Sequence, residues 1–121
     1  MKVLIVEDNR AMRRLIRRAV AQVAGEISEC GDGETACSLY REMRPDWVLM
    51  DIEIGEVNGL VATRRIKAEY PEARIVIVTN YDDTPLRQSA IDAGACGYVL
   101  KENLSALLDI LTETEAAKTR Q

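Results

Sequence analysis

Short apolar runs alternate with longer segments of helical period along this chain. Val3-Leu4-Ile5-Val6 is unbroken by polar residues and runs straight into Glu7-Asp8. Next, Met12, Leu15, Ile16, Ala19, Val20 and Val23 recur at the spacing of one helix face, with Asn9 placed to cap it. A weaker strand is predicted near Ile27 to Cys30, then a turn at Gly31-Asp32-Gly33 and a helix from Thr35 to Met43, ended by Arg44-Pro45. Trp47-Val48-Leu49-Met50 forms a third run, followed at once by Asp51. A loop from Glu53 to Gly59 leads into a helix from Leu60 to Tyr70, stopped at Pro71. Ile75 to Val78 is a fourth run, ending in Thr79. Thr84-Pro85 reads as an N-cap followed by proline at the first helical position, and Gly94 as the residue that ends this helix. Gly97 to Leu100 is a fifth strand, ending in Lys101. Leu104, Leu107, Leu108 and Leu111 mark a last amphipathic helix. The polar tail from Thr112 either extends that helix, frays, or begins a linker.

Strands that are apolar without alternation are buried on both faces, the mark of a parallel sheet covered by helices. Five strands and five helices in strict alternation therefore predict an α/β chain, (βα)5, folded as a three-layer sandwich. With 121 residues and no repeat or linker-like stretch, residues 1–121 are expected to form a single domain.

Composition narrows the chemistry. Histidine is absent, which removes Ser-His-Asp and Cys-His catalysis and imidazole metal sites. A net charge of -4 argues against direct nucleic-acid binding, and with no Phe and only Trp47 and four tyrosines to supply rings, aromatic platforms for stacking bases are not expected. No G-x-G-x-x-G or Walker-type loop occurs. Cys30, Cys37 and Cys96 show no C-x-x-C spacing and read as reduced thiols, consistent with a cytoplasmic location. No apolar run is long enough to span a membrane.

The polar residues at strand ends carry the most information. In an open parallel sheet all carboxyl ends lie on one edge, where ligands bind. Glu7, Asp8, Asp51, Thr79 and Lys101 are predicted to meet there. A single aspartate after a strand is usually a turn or cap residue; four of five strand ends carrying complementary groups is a different matter. Two like charges about 4 Å apart repel by roughly 4 kcal/mol at an effective dielectric of 20. Lys101 offsets part of that. A hard divalent cation held by carboxylates, a carbonyl and water offsets the rest, which points to Mg²⁺. In that setting Asp51 can act as a nucleophile toward a phosphoryl group, and Thr79 can bond an arriving phosphoryl oxygen.

This set of residues, at these spacings in a (βα)5 chain, resembles the receiver domain of two-component response regulators. Val48-Leu49-Met50-Asp51, Asn58-Gly59-Leu60, Asp92-Ala93-Gly94-Ala95 and Gly97 to Lys101 are specific to the likeness, and the last segment is most similar to the NarL/FixJ branch. The resemblance implies a flavodoxin-like fold with strand order 2-1-3-4-5. It also implies that Asp51 is the phosphoacceptor and that the metal is held by Asp8, Asp51, the backbone carbonyl of Glu53, and Glu7 through water. Thr79 and Lys101 would bind phosphoryl oxygens, and Tyr98 would be the switch aromatic. The phosphodonor would be a sensor histidine kinase or histidine phosphotransfer protein. The chain would then catalyse only its own phosphorylation and dephosphorylation. The helix after Thr84, the fifth strand and the last helix would form an output face, available for homodimerisation and coupled in full-length relatives to transcription.

Several positions depart from the family pattern. Ile54 and Gly55 replace a usual Met-Pro, Asn80 replaces a small residue, and Glu102 replaces proline after the lysine. Gly55 is expected to loosen its loop. Glu53 and Tyr81 occupy positions that tune phosphate lifetime in the family. Arg10, Arg13, Arg14, Arg17 and Arg18 make the first helix basic, either as a solvated face or as a docking surface for an acidic phosphodonor. Two other functions remain open: an interaction module indifferent to phosphorylation, and a Mg²⁺-dependent phosphohydrolase. The hydrolase reading lacks a D-x-D pair, since Asp51-Ile52-Glu53 is not one.

Overall fold

A computed structural model describes residues 1–55 and 57–119. Strands β1 (Lys2–Val6), β2 (Glu26–Cys30), β3 (Trp47–Met50), β4 (Ile75–Thr79) and β5 (Gly97–Leu100) alternate with helices α1 (Arg10–Val20), α2 (Gly33–Met43), α3 (Gly59–Glu69), α4 (Thr84–Ala93) and α5 (Ser105–Thr119). The sheet is parallel throughout, in the order β2-β1-β3-β4-β5.

Both faces of the sheet are apolar because the strand residues alternate between two cores. Leu4, Val6, Val48, Met50, Ile75 and Ile77 pack with Ala36 and Tyr40 of α2, Ile66 of α3 and Ala90 of α4. Val3, Ile5, Leu49, Val76, Val78 and Val99 pack with Ile16 and Val20 of α1 and Leu107 and Leu111 of α5. Burying each such side chain stabilises the fold by about 1.5–3 kcal/mol relative to exposure.

Register decides where the site falls. Val6 lies opposite both Cys30 and Met50, and Thr79 lies opposite Leu100. β1, β2 and β3 therefore end level, β4 and β5 run two residues further because Met50 lies opposite Ile77, and residues 7, 51, 79–80 and 101 emerge on one rim.

Helix caps explain several boundaries. Asn9, Asp32 and Asn58 each accept a hydrogen bond from the amide three residues on, at 2.9, 2.7 and 3.0 Å. α2 thus opens at Gly33, two residues before the expected start. The cap of α4 is Asp83 and not Thr84: its carboxylate accepts from Leu86 N at 3.0 Å, and Pro85 takes the second helical position. A carboxylate is the stronger cap at the positive end of a helix. α1 ends at Val20, so Val23 lies in the turn beyond it, and Leu15, at the edge of the stripe, is 47% exposed. A 3-10 turn, Lys101–Asn103, precedes α5, and α5 carries the polar tail in helical form to Thr119. Gly55 has a φ of 57°, while Ile54 before it is fully buried and anchors the loop to the core. All three cysteines are free; burial pushes the Cys30 thiol up to about 11.

Candidate functional site

Glu7, Asp8 and Asp51 each offer a carboxylate oxygen, and these oxygens lie within 4.8 Å of one another. Glu7 and Asp51 are buried, whereas Asp8 is exposed at the mouth. The Asp51 amide donates to Val6 O at 3.0 Å, which continues the β1–β3 ladder one residue past the strands and fixes the acceptor's backbone. Lys101 Nζ reaches between two of the acids, 2.6 Å from Glu7 Oε1 and 3.1 Å from Asp51 Oδ2. Burial pushes the Lys101 pKa down, but hydrogen bonding to Glu7 and the charge of Asp51 outweigh it. The net shift is above the usual lysine value.

One cation thus faces three anions. Glu7 Oε2 accepts a 3.3 Å hydrogen bond from Asn9 N. Glu7 Oε1 is fully buried, and among the described residues the Lys101 ammonium at 2.6 Å is the partner the structure gives it. Clustered hard oxygen donors, one of them short of partners, fit a divalent cation of the Mg²⁺ class.

Thr79 and Tyr98 form a separate layer. Thr79 is buried at the end of β4, and its Oγ1 accepts from Tyr81 N at 3.3 Å. The half-buried Tyr98 donates its hydroxyl to Tyr81 O at 2.6 Å, and the Arg87 guanidinium stacks 4.5 Å from its ring centroid. Tyr81 also donates its own hydroxyl to Glu53 Oε1 at 2.5 Å. Hydrogen bonding to Glu53 raises the Tyr81 pKa, and the Glu53 charge adds to this. The structure therefore brings Glu7, Asp8, Asp51 and Lys101 together directly, and joins Thr79, Glu53 and Tyr98 through one residue, Tyr81. The sequence marked Tyr81 by position alone; its three hydrogen bonds depend on loops that meet only in the fold.

The response regulator receiver domain model matches residues 3–112. The chain belongs to the response regulator receiver domain family. The response regulator GacA of Pseudomonas aeruginosa is 36% identical over 102 residues, covering 83% of this chain and 48% of that protein. The chain thus spans about half the length of the curated relatives it matches. A two-component response regulator of the LuxR family from an Aurantimonas species has 32% identity and a TM-score of 0.87, over 96% of this chain and 85% of that one. These relatives agree with the NarL/FixJ branch. The chemotaxis protein CheY4 of Vibrio cholerae shares the fold, with a TM-score of 0.83 at 23% identity over 93% of this chain and 96% of that one. As a receiver, the chain carries an acidic pocket able to hold a metal, and no helix among its described residues is long and apolar enough to cross a membrane.

Proposed function

We propose that residues 1–121 form one receiver domain that accepts a phosphoryl group on Asp51 with Mg²⁺ bound. The observation that carries this reading is the Lys101 ammonium held between Glu7 and Asp51 while Asp8 completes an acid cluster beside them. Asp8, Asp51 and the Glu53 carbonyl would hold Mg²⁺ directly, and Glu7 would do so through water. When bound, the cation supplies positive charge for the transferring oxygens.

The donor is a phosphohistidine on a sensor histidine kinase or a phosphotransfer protein. An Asp51 carboxylate oxygen forms the new P–O bond. The P–N bond to the donor imidazole breaks, and the imidazole leaves with its electron pair and takes up a proton. Lys101 neutralises a phosphoryl oxygen, and Thr79 donates its hydroxyl to another. That bond draws Thr79 Oγ1 away from Tyr81 N. The Tyr81 loop then shifts, and with it the hydrogen bond that holds Tyr98. The group biases this two-state element only by its differential interaction with the two states.

The basic α1 supports docking of an acidic phosphodonor. Arg13 and Arg17 lie 3.8 and 2.7 Å from Glu29, while Arg10, Arg14 and Arg18 are exposed. The face of α4, β5 and α5, with Ile91 63% exposed, supports partner binding or homodimerisation. Transcription is the output that the relatives favour, with no direct nucleic-acid contact by this domain and a cytoplasmic setting. The chain would turn over no separate substrate.

Acetyl phosphate with Mg²⁺ tests this reading. The expected result is a mass gain of one phosphoryl group, mapped to Asp51 and absent from Asp51→Asn. No gain in the wild type would favour the phosphorylation-independent interaction module.

A further inference from the structure

Four polar residues among those described are buried: Glu7, Asp51, Thr79 and Thr63. The proposed phosphoryl-transfer site uses the first three and leaves Thr63 unexplained. Thr63 lies on α3 and donates its hydroxyl to Gly59 O at 2.7 Å. Gly59 opens α3, and a Cβ at that position would lie 1.9 Å from the Asp51 carbonyl oxygen, 2.8 Å from the Asp51 carbonyl carbon and 3.0 Å from Ile52 Cα. No side chain fits there. Gly59 N also donates to Ile52 O at 2.8 Å. The first turn of α3 is thus pressed onto the peptide that carries the phosphoacceptor.

The backbone conformation of Gly59 does not call for glycine, since positive φ among the glycines occurs only at Gly55 and Gly94. Close approach alone does. A threonine hydroxyl bonded to the carbonyl four residues back tilts that carbonyl and bends the turn. The bonded carbonyl belongs to Gly59, the residue whose backbone meets Asp51. We propose that Gly59 and Thr63 are positioning residues for the Asp51 carboxylate: the glycine lets α3 clamp the Asp51 peptide, and the threonine shapes the clamping turn. The role in phosphorylation rests on the receiver reading above.

Gly33 supplies a control. A Cβ there would meet Val57 O at 2.6 Å, Val57 Cγ1 at 3.0 Å and Ala62 Cβ at 3.1 Å, crowded as well, though less tightly than at Gly59, and against the far end of the same loop. Gly59→Ala, Gly33→Ala, Thr63→Val and Thr63→Ser are compared with wild type in three measurements: thermal midpoint, Mg²⁺ affinity by calorimetry, and the rate of Asp51 phosphorylation by acetyl phosphate. A misplacement of about 1 Å costs up to roughly 100-fold in rate, so Gly59→Ala is expected to lose about that much and to weaken Mg²⁺ binding. Gly33→Ala is expected to lose stability but keep both site properties. Thr63→Val preserves volume and is expected to weaken Mg²⁺ binding and slow phosphorylation by about tenfold, with recovery in Thr63→Ser.

Equal loss of site properties in Gly33→Ala and Gly59→Ala would overturn the assignment, because a general loss of stability would then account for both. Wild-type Mg²⁺ affinity and rate in Thr63→Val would overturn the role of the threonine. If Gly59→Ala does not fold, the Thr63 pair decides the matter. If wild type takes no phosphoryl group the receiver reading fails by itself, and the Mg²⁺ affinities still decide whether Gly59 and Thr63 position Asp51.

Discussion

The two ends of the sheet both carry clustered charge, and they handle it differently. At the amino ends, Lys2 N donates to Asp46 Oδ2 at 2.7 Å and Arg74 Nε donates to Asp46 O at 3.0 Å. Arg74 stacks 4.5 Å from the Trp47 ring centroid, and Arg44 stacks 4.0 Å from that of Tyr70 while lying 3.6 Å from Glu72. Among the described residues the cations at that end lie over aromatic rings, on a backbone carbonyl and in one ion pair, Arg44–Glu72, that remains open to water, while Arg74 Nη1 is buried without a hydrogen bond. At the carboxyl ends, three acids share one lysine, and two of the three are buried. The amino end is charge arranged for stability. The carboxyl end sets three acids against one lysine among the described residues, an imbalance that an added cation would relieve, and the candidate site lies there.

Removing the central cation should break this contrast most severely. Lys101→Met leaves Glu7 and Asp51 buried without their counter-charge, and breaking a buried pair from one side costs about 3–5 kcal/mol. Arg74→Met, which gives up its stacking on Trp47 and its bond to Asp46 O, should cost about 1–2 kcal/mol. Urea denaturation of the two variants measures the difference, and equal losses would erase the distinction between the ends.

Tyr81→Phe should come next. It removes the hydroxyl that ties the rim to Glu53 but leaves the acids in place. The phosphoryl group on Asp51 is expected to hydrolyse roughly three- to tenfold faster, the rate equivalent of one net hydrogen bond. The decay of the phosphorylated mass species reports it.

Asp32 sharpens the comparison because it is an acid at the same rim that already has its partners. It accepts from Thr35 N at 2.7 Å and Thr35 Oγ1 at 2.9 Å, and the backbone bond in particular holds its carboxyl below the usual range. A depressed carboxylate contributes stability above its unfolded pKa of about 3.9 and loses it as pH falls through the lower folded value. Asp32→Ala should therefore cost about 1 kcal/mol at pH 7, less as pH drops below about 4, and nothing in Mg²⁺ affinity. Asp32→Asn keeps the cap and should remove that part of the acid sensitivity. Smallest of all, Arg44→Ala should change stability by no more than about 1 kcal/mol, since exposed ion pairs contribute little.

The fold was legible because four of its five strands are short and apolar and end in or run into a polar residue, β2 with its two glutamates being the weak one. Glu7-Asp8, Asp51, Thr79 and Lys101 could be placed on one rim from strand polarity alone, and parallel register then brings the three acids and Lys101 together. Caps were less legible: Asp83 and Thr84 both suit the start of α4, and only the geometry of the turn selects between them. Leu15 fits the apolar period but falls at the edge of the stripe. The hydrogen bonds of Tyr81 and the crowding at Gly59 left no trace in spacing. Each depends on two loops, or a loop and a helix, whose separation in sequence says nothing about their approach.

The central claim is that the carboxyl end of the sheet is short of positive charge by an amount that a divalent cation supplies. Calorimetric titration of the unphosphorylated protein with Mg²⁺ tests this directly. The account predicts saturable binding of one ion per chain, lost in Asp8→Asn and in Asp51→Asn and unchanged in Asp32→Asn. Absence of binding in wild type, or binding that survives both site substitutions, would contradict it.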